Sequence, residues 1–252
     1  NIFKNNKILL LFLLENKIIT VDEDIYISLA NISEPNGWRY CHFFYPEVKE
    51  YLGDQKSQNI KKDLLSKNPD ILNNFDEKRH EGENDSYICT LIRNDSVEEF
   101  ISYVNRASIR LNSKIKPSLF ETNSFLLKNE PTLIEYSCFF GSIQIFQYLR
   151  MNDAKLTPSL WLYTIHSRNA ELIHLLETYK VEPPNNKYEE CFIESIKCHH
   201  NEIAEYIKDN LMVENFDSSS NQENAISNIL QYHNYAYFPS DFEKGYELFY
   251  LC

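Results

Sequence analysis

Glycine is scarce in this chain, with five in 252 residues beside nine prolines. That scarcity weighs against a β-sandwich, against a dinucleotide-binding sheet and against any glycine loop that wraps phosphate. Clustered positive charge is also missing. The net charge is −12 with an isoelectric point near 5.1, and the densest basic runs are the pairs Lys61-Lys62 and Lys78-Arg79, which read as ordinary surface. Nucleic acid and anionic lipid both call for concentrated Lys and Arg, so neither is expected as a partner. Six cysteines, Cys41, Cys89, Cys138, Cys191, Cys198 and Cys252, follow no repeating spacing. In a chain of this length they read as reduced thiols of a cytoplasmic protein rather than a disulfide framework. There is no nucleophile elbow, no oxyanion-hole glycine pair and no C-x-x-C or H-x-x-x-H spacing. An enzyme is therefore not expected, nor a cofactor or metal.

What the chain does hold is core material: 43% apolar residues, with 17 Tyr and 16 Phe. With so few turn formers, an all-α fold is the economical reading. The start, NIFKNNKILLLFLLENKII, carries a seven-residue apolar run, Ile8–Leu14, closed by Glu15-Asn16-Lys17 and without a small-residue cleavage site. It reads as a helix hydrophobic nearly all round, and hence buried, rather than a targeting segment. The first residue is Asn, so the chain reads as a fragment. Helices are expected over 4–19, 22–31 and 59–68, with a short one opened by Pro46 and a turn at PNGW, 35–38. The charged stretch 73–85, NNFDEKRHEGEND, is the best linker candidate. The expected domains are an N-terminal helical region over 1–80, helix-pair repeats over 85–210, and further helices leading into a truncated repeat over 211–252.

The repeat rests on TLIEYSCFFGSIQIFQYL, residues 132–149. Thr132, Ile134, Ser137-Cys138, Gly141, Ile145-Phe146, Leu149 and Ala154 fill the corresponding positions of the ankyrin pattern without a gap. Small residues at 137–138 let two helices approach, and Gly141 supplies the positive φ of the turn between them. Shifts of 27 and then 31 residues place Trp161, Thr164-Ile165, Leu172-Ile173 and Leu176, then Ser195-Ile196, Ile203-Ala204 and Ile207, on the same positions. A shift back of 46 places Ile88, Phe100 and Tyr103 there, with the extra length in 108–130. Two features depart from the pattern. Its Thr-Pro-Leu-His becomes Thr132-Leu133-Ile134-Glu135, which removes the histidine's bond network. Its turn glycine becomes Arg168 and His199, each costing about 1 kcal/mol if φ stays positive.

ENDSYICTLIRNDSVEEFISYV, PTLIEYSCFFGSIQIFQYL, PSLWLYTIHSRNAELIHLLE and CFIESIKCHHNEIAEYI together resemble a large trichomonad protist family, in which a domain of unknown function merges into ankyrin repeats. The likeness covers roughly 85–210, and YHNYAYFPSDFEKGYELFYLC resembles the family's passage into further repeats. The resemblance implies an ankyrin-like α-solenoid of stacked helix pairs with an N-terminal helical cap, and an interaction role without catalytic or cofactor residues.

Candidate chemistry is thin. In CFIESIKCHH, Cys191 and Cys198 share a helical face and His199-His200 follow, with His166 and His174 one unit earlier; a core cysteine with solvated histidines is the simpler reading. Asp22-Glu23-Asp24 and Glu98-Glu99 fit helix starts. NFDSSSNQEN, 215–224, reads as a connector. On the repeat alignment Tyr136, Phe139, Phe140, Tyr163, His166, Ser167, Glu194 and Lys197 lie near a concave face, where exposed aromatics make good anchors. Phe139 and Phe140 fit an inter-unit core equally well. The expected function is a monomeric, non-enzymatic scaffold that binds a basic or neutral protein surface through that face. A structural cap for a longer ankyrin array is the alternative, with a Cys/His metal or thiol site as a minor one.

Overall fold

The computed structural model describes residues 6–34, 39–49, 51–212 and 219–238. The PNGW turn, Cys252 and the last fourteen residues of the chain lie outside them. Every named element among the described residues is helical, and their β pairing is an isolated bridge between Ser33 and Arg39. The all-α class holds. The chain divides into two compact units, the first made of 1–90 and 114–131, the second of 91–113 and 132–252.

The first unit begins with α1 (Lys7–Glu15), α2 (Glu23–Asn31), α3 (Tyr40–Phe43), α4 (Tyr45–Val48), α5 (Gly53–Lys67) and α6 (Phe75–Glu81). Asp22 caps α2 by accepting the Ile25 N–H at 2.8 Å, and Glu23 and Asp24 occupy its first turn, so this acidic run serves the helix dipole. The core joins Leu10 and Leu11 of α1 to Phe43, Phe44, Val48, Leu64, Phe75 and, from the returning segment, Leu119 and Phe120. One face of α1 points outward, leaving Phe12 54% exposed beside exposed Ile8 and Leu9. The expectation of a helix buried all round is thereby corrected: a nine-residue helix lying at the edge of a small core can bury only one stripe.

The linker expected over 73–85 is also corrected, because α6 is part of this core. Phe75 packs edge-on against Phe120 with centroids 5.3 Å apart. Arg79, expected on the surface, is 2% exposed. Its guanidinium donates to both carboxylate oxygens of Glu47 at 2.7 and 3.0 Å, to Asp76 at 2.7 Å and to the Phe43 carbonyl at 3.2 Å. A buried cation is tolerated only where its donors find such partners. Lys7 is the second buried cation. It pairs with Glu34 and donates to the carbonyls of Leu119 and Glu121 at 3.0 and 3.1 Å.

A seventh helix, α7 (Tyr87–Arg93), runs from the first unit into the second, followed by α8 (Val97–Arg106). The chain then leaves: residues 114–131, which carry α9 (Ser124–Asn129), fold with the first unit. Departure and return meet, since Ile115 N–H donates to the Pro131 carbonyl at 2.7 Å and Leu133 N–H to the Ser113 carbonyl at 3.2 Å. This excursion explains the long spacing of 46 residues. Without 114–131 it shortens to 28, beside 27 and 31.

The rest of the second unit comprises α10 (Leu133–Phe140), α11 (Ile143–Met151), α12 (Leu160–Ser167), α13 (Ala170–Thr178), α14 (Glu189–Lys197), α15 (Asn201–Tyr206) and α16 (Ser219–Gln231). The expected connector at 215–224 is thus helical from Ser219 on, and 215–218 lie outside the described residues. Helices pack as pairs, α10 with α11, α12 with α13 and α14 with α15, and the first helices follow one another in order, α10 on α12, α12 on α14, α14 on α16. Thr132 and Glu135 close a capping box on α10. The remaining oxygen of Glu135 accepts the Ser159 hydroxyl at 2.5 Å, at the start of the next pair. One carboxylate thus both caps α10 and bonds the residue that opens the next pair.

The turn inside each pair repeats closely. Asp95, Gly141, Arg168, His199 and His233 all have left-handed backbone, with φ of 49, 75, 54, 58 and 56°. The amide after four of these, at Ser96, Ser142, His200 and Asn234, donates to the carbonyl five residues earlier at 2.9–3.0 Å. Second helices end on the same 6→1 bond, at Ile109, Ala154, Val181 and Met212. A side-chain bond then links three of the pairs to the one before. Ser142 donates to the Ile92 carbonyl at 2.5 Å, His200 Nδ1–H to that of Ile165 at 2.8 Å, and Asn234 to that of Ile196 at 2.9 Å. Each runs from the residue after a turn residue to the carbonyl three residues before the preceding turn residue.

The turns have thus kept their shape without glycine. Arg168 carries the strain with little in return, because its ion pair with Glu202 is exposed on both sides. Arg168→Gly is expected to raise stability by about 0.5–1 kcal/mol, the left-handed strain relieved less the entropy glycine adds to the unfolded chain. Thermal melts of the variant check this, and a lower midpoint contradicts it.

Candidate functional site

The expected surface residues occupy three positions counted back from the turn residue. Five before it stand Tyr136, Tyr163 and Glu194; two before it, Phe139, His166 and Lys197; one before it, Phe140 and Ser167, a position that Cys198, not among the expected residues, also holds. Because the first helices stack in order, residues at one position form a row across the unit. Arg93 extends the row of Phe139 at one end, two residues before Asp95, and Tyr232 extends the row of Phe140 at the other, one before His233.

Two members are not surface residues. Tyr136 is 1% exposed and Tyr163 3%, so neither can meet a partner as an accessible anchor. Their position turns the ring between neighbouring first helices. Tyr136 lies 4.7 Å from the Phe140 ring centroid and accepts a hydrogen bond from Arg93 at 3.1 Å. Burial, with the Glu135 charge adding to it, holds the Tyr163 phenol well above its ordinary pKa.

The other six are half-buried, and five of them join in one line of contacts. Arg93 sits over the Phe140 ring at 5.9 Å, and Phe140 meets Phe139 edge-on at 5.0 Å. Phe139 stacks on the His166 ring at 4.9 Å and 25°. His166 Nε2 lies 3.1 Å from Glu194, Glu194 lies 3.2 Å from Lys197, and Lys197 reaches over the Tyr232 ring at 5.5 Å. Ser167 turns back instead, donating to the Thr164 carbonyl at 2.7 Å. Burial alone would raise the Glu194 carboxyl, but the bonds and charges of His166 and Lys197 outweigh it and hold the group below the usual carboxylate range.

The cysteine–histidine stretch comes apart, apart from one member. Cys191 is a core thiol, raised by burial, and Cys138, also buried, is pushed up to about 12. Exposed His199 bonds the Tyr232 carbonyl at 3.0 Å, His200 makes the Ile165 bond, and His174 stands in solvent. Cys198 instead faces back to α12, its sulfur 3.5 Å from His166 Nδ1 and 3.8 Å from Nε2. Burial and the Glu194 charge push this thiol up to about 12, so it is no nucleophile near neutral pH. Arg93, Cys198 and Tyr232 are the residues that sequence reasoning left out of the surface, although the register that placed Phe139 and Phe140 places them as well.

No described helix is long and apolar enough to cross a membrane. No protein-family model matches the chain, and it has no significant match among the curated proteins or the solved structures.

Proposed function

We propose that the chain is a non-enzymatic interaction scaffold, an ankyrin-like solenoid that holds a protein partner along the face made by the ends of its first helices. The observation that carries this reading is the unbroken line Arg93, Phe140, Phe139, His166, Glu194, Lys197, Tyr232, which draws on α7, α10, α12, α14 and the residue after α16. Half-buried aromatics flanked by cations suit binding: the rings are already ordered, so little side-chain entropy is lost when a partner covers them. The recurring left-handed turns and the serial packing of first helices support the solenoid. The surplus of acidic side chains favours a basic or neutral partner surface.

The test is photo-crosslinking in cells of the source organism, with a photoreactive side chain at position 140 and, for comparison, at 151. Met151 is 75% exposed at the end of a second helix, away from the line. A discrete adduct from 140 and none from 151 is the expected result.

A further inference from the structure

Two members of the line, His166 and Glu194, converge with Cys198, so that an imidazole, a carboxylate and a thiol meet. One ligand atom from each of His166, Glu194 and Cys198 lies within 4.8 Å of the others. We propose that these three side chains bind a zinc ion, with the fourth position left open to water or to a partner's side chain. The proposal stands independently of partner binding.

The ligand set is the first argument. Nitrogen, sulfur and carboxylate oxygen together suit a borderline-soft divalent ion and suit calcium or magnesium poorly. The spacing is the second. Zinc bonds of roughly 2.0–2.3 Å at tetrahedral angles set ligand atoms about 3.3 Å apart for nitrogen and oxygen, and about 3.5 Å apart for nitrogen and sulfur. Here His166 Nε2 is 3.1 Å from Glu194 Oε1 and 3.8 Å from Cys198 Sγ. Both values are within a few tenths of an ångström of what the ion requires.

Preorganisation is the third argument. Glu194 and Cys198 are four residues apart on α14 and its end, and so share a face. His166 comes from α12, which packs against α14, and the stacked Phe139 ring fixes the plane of its imidazole. Three ligands with one open position is also the usual count for zinc sites that exchange a water or substrate.

Binding has a proton balance. His166 meets the metal through Nε2, with the ring proton carried on Nδ1. Cys198 loses its thiol proton to solvent as the zinc–sulfur bond forms. One proton is released per ion, so affinity rises about tenfold per pH unit while the unbound thiol stays protonated. Lys197, 3.2 Å from Glu194, competes with the ion for the carboxylate.

The experiment uses the whole chain, stripped with a chelator and titrated with Zn2+ against a chromogenic competitor, and separately with Co2+. One zinc per chain is expected, together with a cobalt–thiolate charge-transfer band. Cys198→Ser should abolish the band, and His166→Ala and Glu194→Gln should each weaken Zn2+ binding at least tenfold. His199→Ala should leave it unchanged, and Lys197→Ala should tighten it several-fold. If a ligand variant fails to fold, the wild-type cobalt spectrum decides. Absence of the thiolate band, or zinc affinity indifferent to Cys198 and His166, overturns the site.

Discussion

Arg79→Ala is expected to cost the first unit about 3–5 kcal/mol, the loss usual when one partner of a buried ion pair is removed. The guanidinium holds Glu47 through two parallel bonds and also satisfies Asp76 and the Phe43 carbonyl. It lies against the Phe43 and Phe75 rings, 5.8 and 5.5 Å from their centroids. Without it, the mostly buried Glu47 carboxylate loses its counterion and a cavity opens between two core aromatics. Arg79→Lys should recover little, because an ammonium cannot reproduce the paired geometry. Denaturant unfolding followed by circular dichroism measures the loss. Lys62→Ala, on an exposed stretch of α5, is the reference and should change stability by less than about 0.5 kcal/mol. A loss below about 1 kcal/mol for Arg79→Ala contradicts the role given to α6.

Trp161→Ala is expected to cost the second unit a similar amount, about 3–5 kcal/mol. The indole is buried on α12, donates to the Val181 carbonyl at 2.7 Å and meets the Tyr188 ring edge-on at 5.1 Å. It therefore ties its own pair to the residue that opens the next. Trp161→Phe keeps most of the ring but leaves the Val181 carbonyl without its donor, so the loss should fall to about 1–3 kcal/mol. Unfolding curves of the two variants separate packing from hydrogen bonding. Equal losses would mean that the bond carries the whole effect.

Residues with one possible backbone role were legible in advance, and residues with two were not. Gly141 announced its turn because glycine tolerates positive φ. Arg168, His199 and Asp95 make the same turn at a cost of about 1 kcal/mol each, too small for composition to reveal. The spacing of 46 stood out as irregular. Its cause was hidden, since the 18 residues that leave the repeat pack Leu119 and Phe120 into the core of another unit. Charge misled in α6, where a run that reads as solvated holds Arg79 in a set of specific partners. At the site, the repeat register located the right face but could not separate its depth. Tyr136 stands one helical turn before Phe139 and Phe140, and Tyr163 one before His166 and Ser167, and only packing sets the buried tyrosines apart. Of the His166–Glu194–Cys198 group, the sequence offers His166 and Cys198 as candidate ligands but not Glu194, because the members lie up to 32 positions apart on two helices and a carboxylate stands outside any Cys/His spacing.

The central claim is that the ends of the first helices form the face that holds a partner, and crosslinking from within that face tests it most directly. With the photoreactive side chain at 140, irradiation is predicted to give one discrete adduct, whose yield drops at least tenfold when Lys197→Glu reverses the flanking charge. At 151 no such adduct should form. An adduct of equal yield from both positions, or adducts from 151 alone, would show that the line from Arg93 to Tyr232 is packing and not a binding surface.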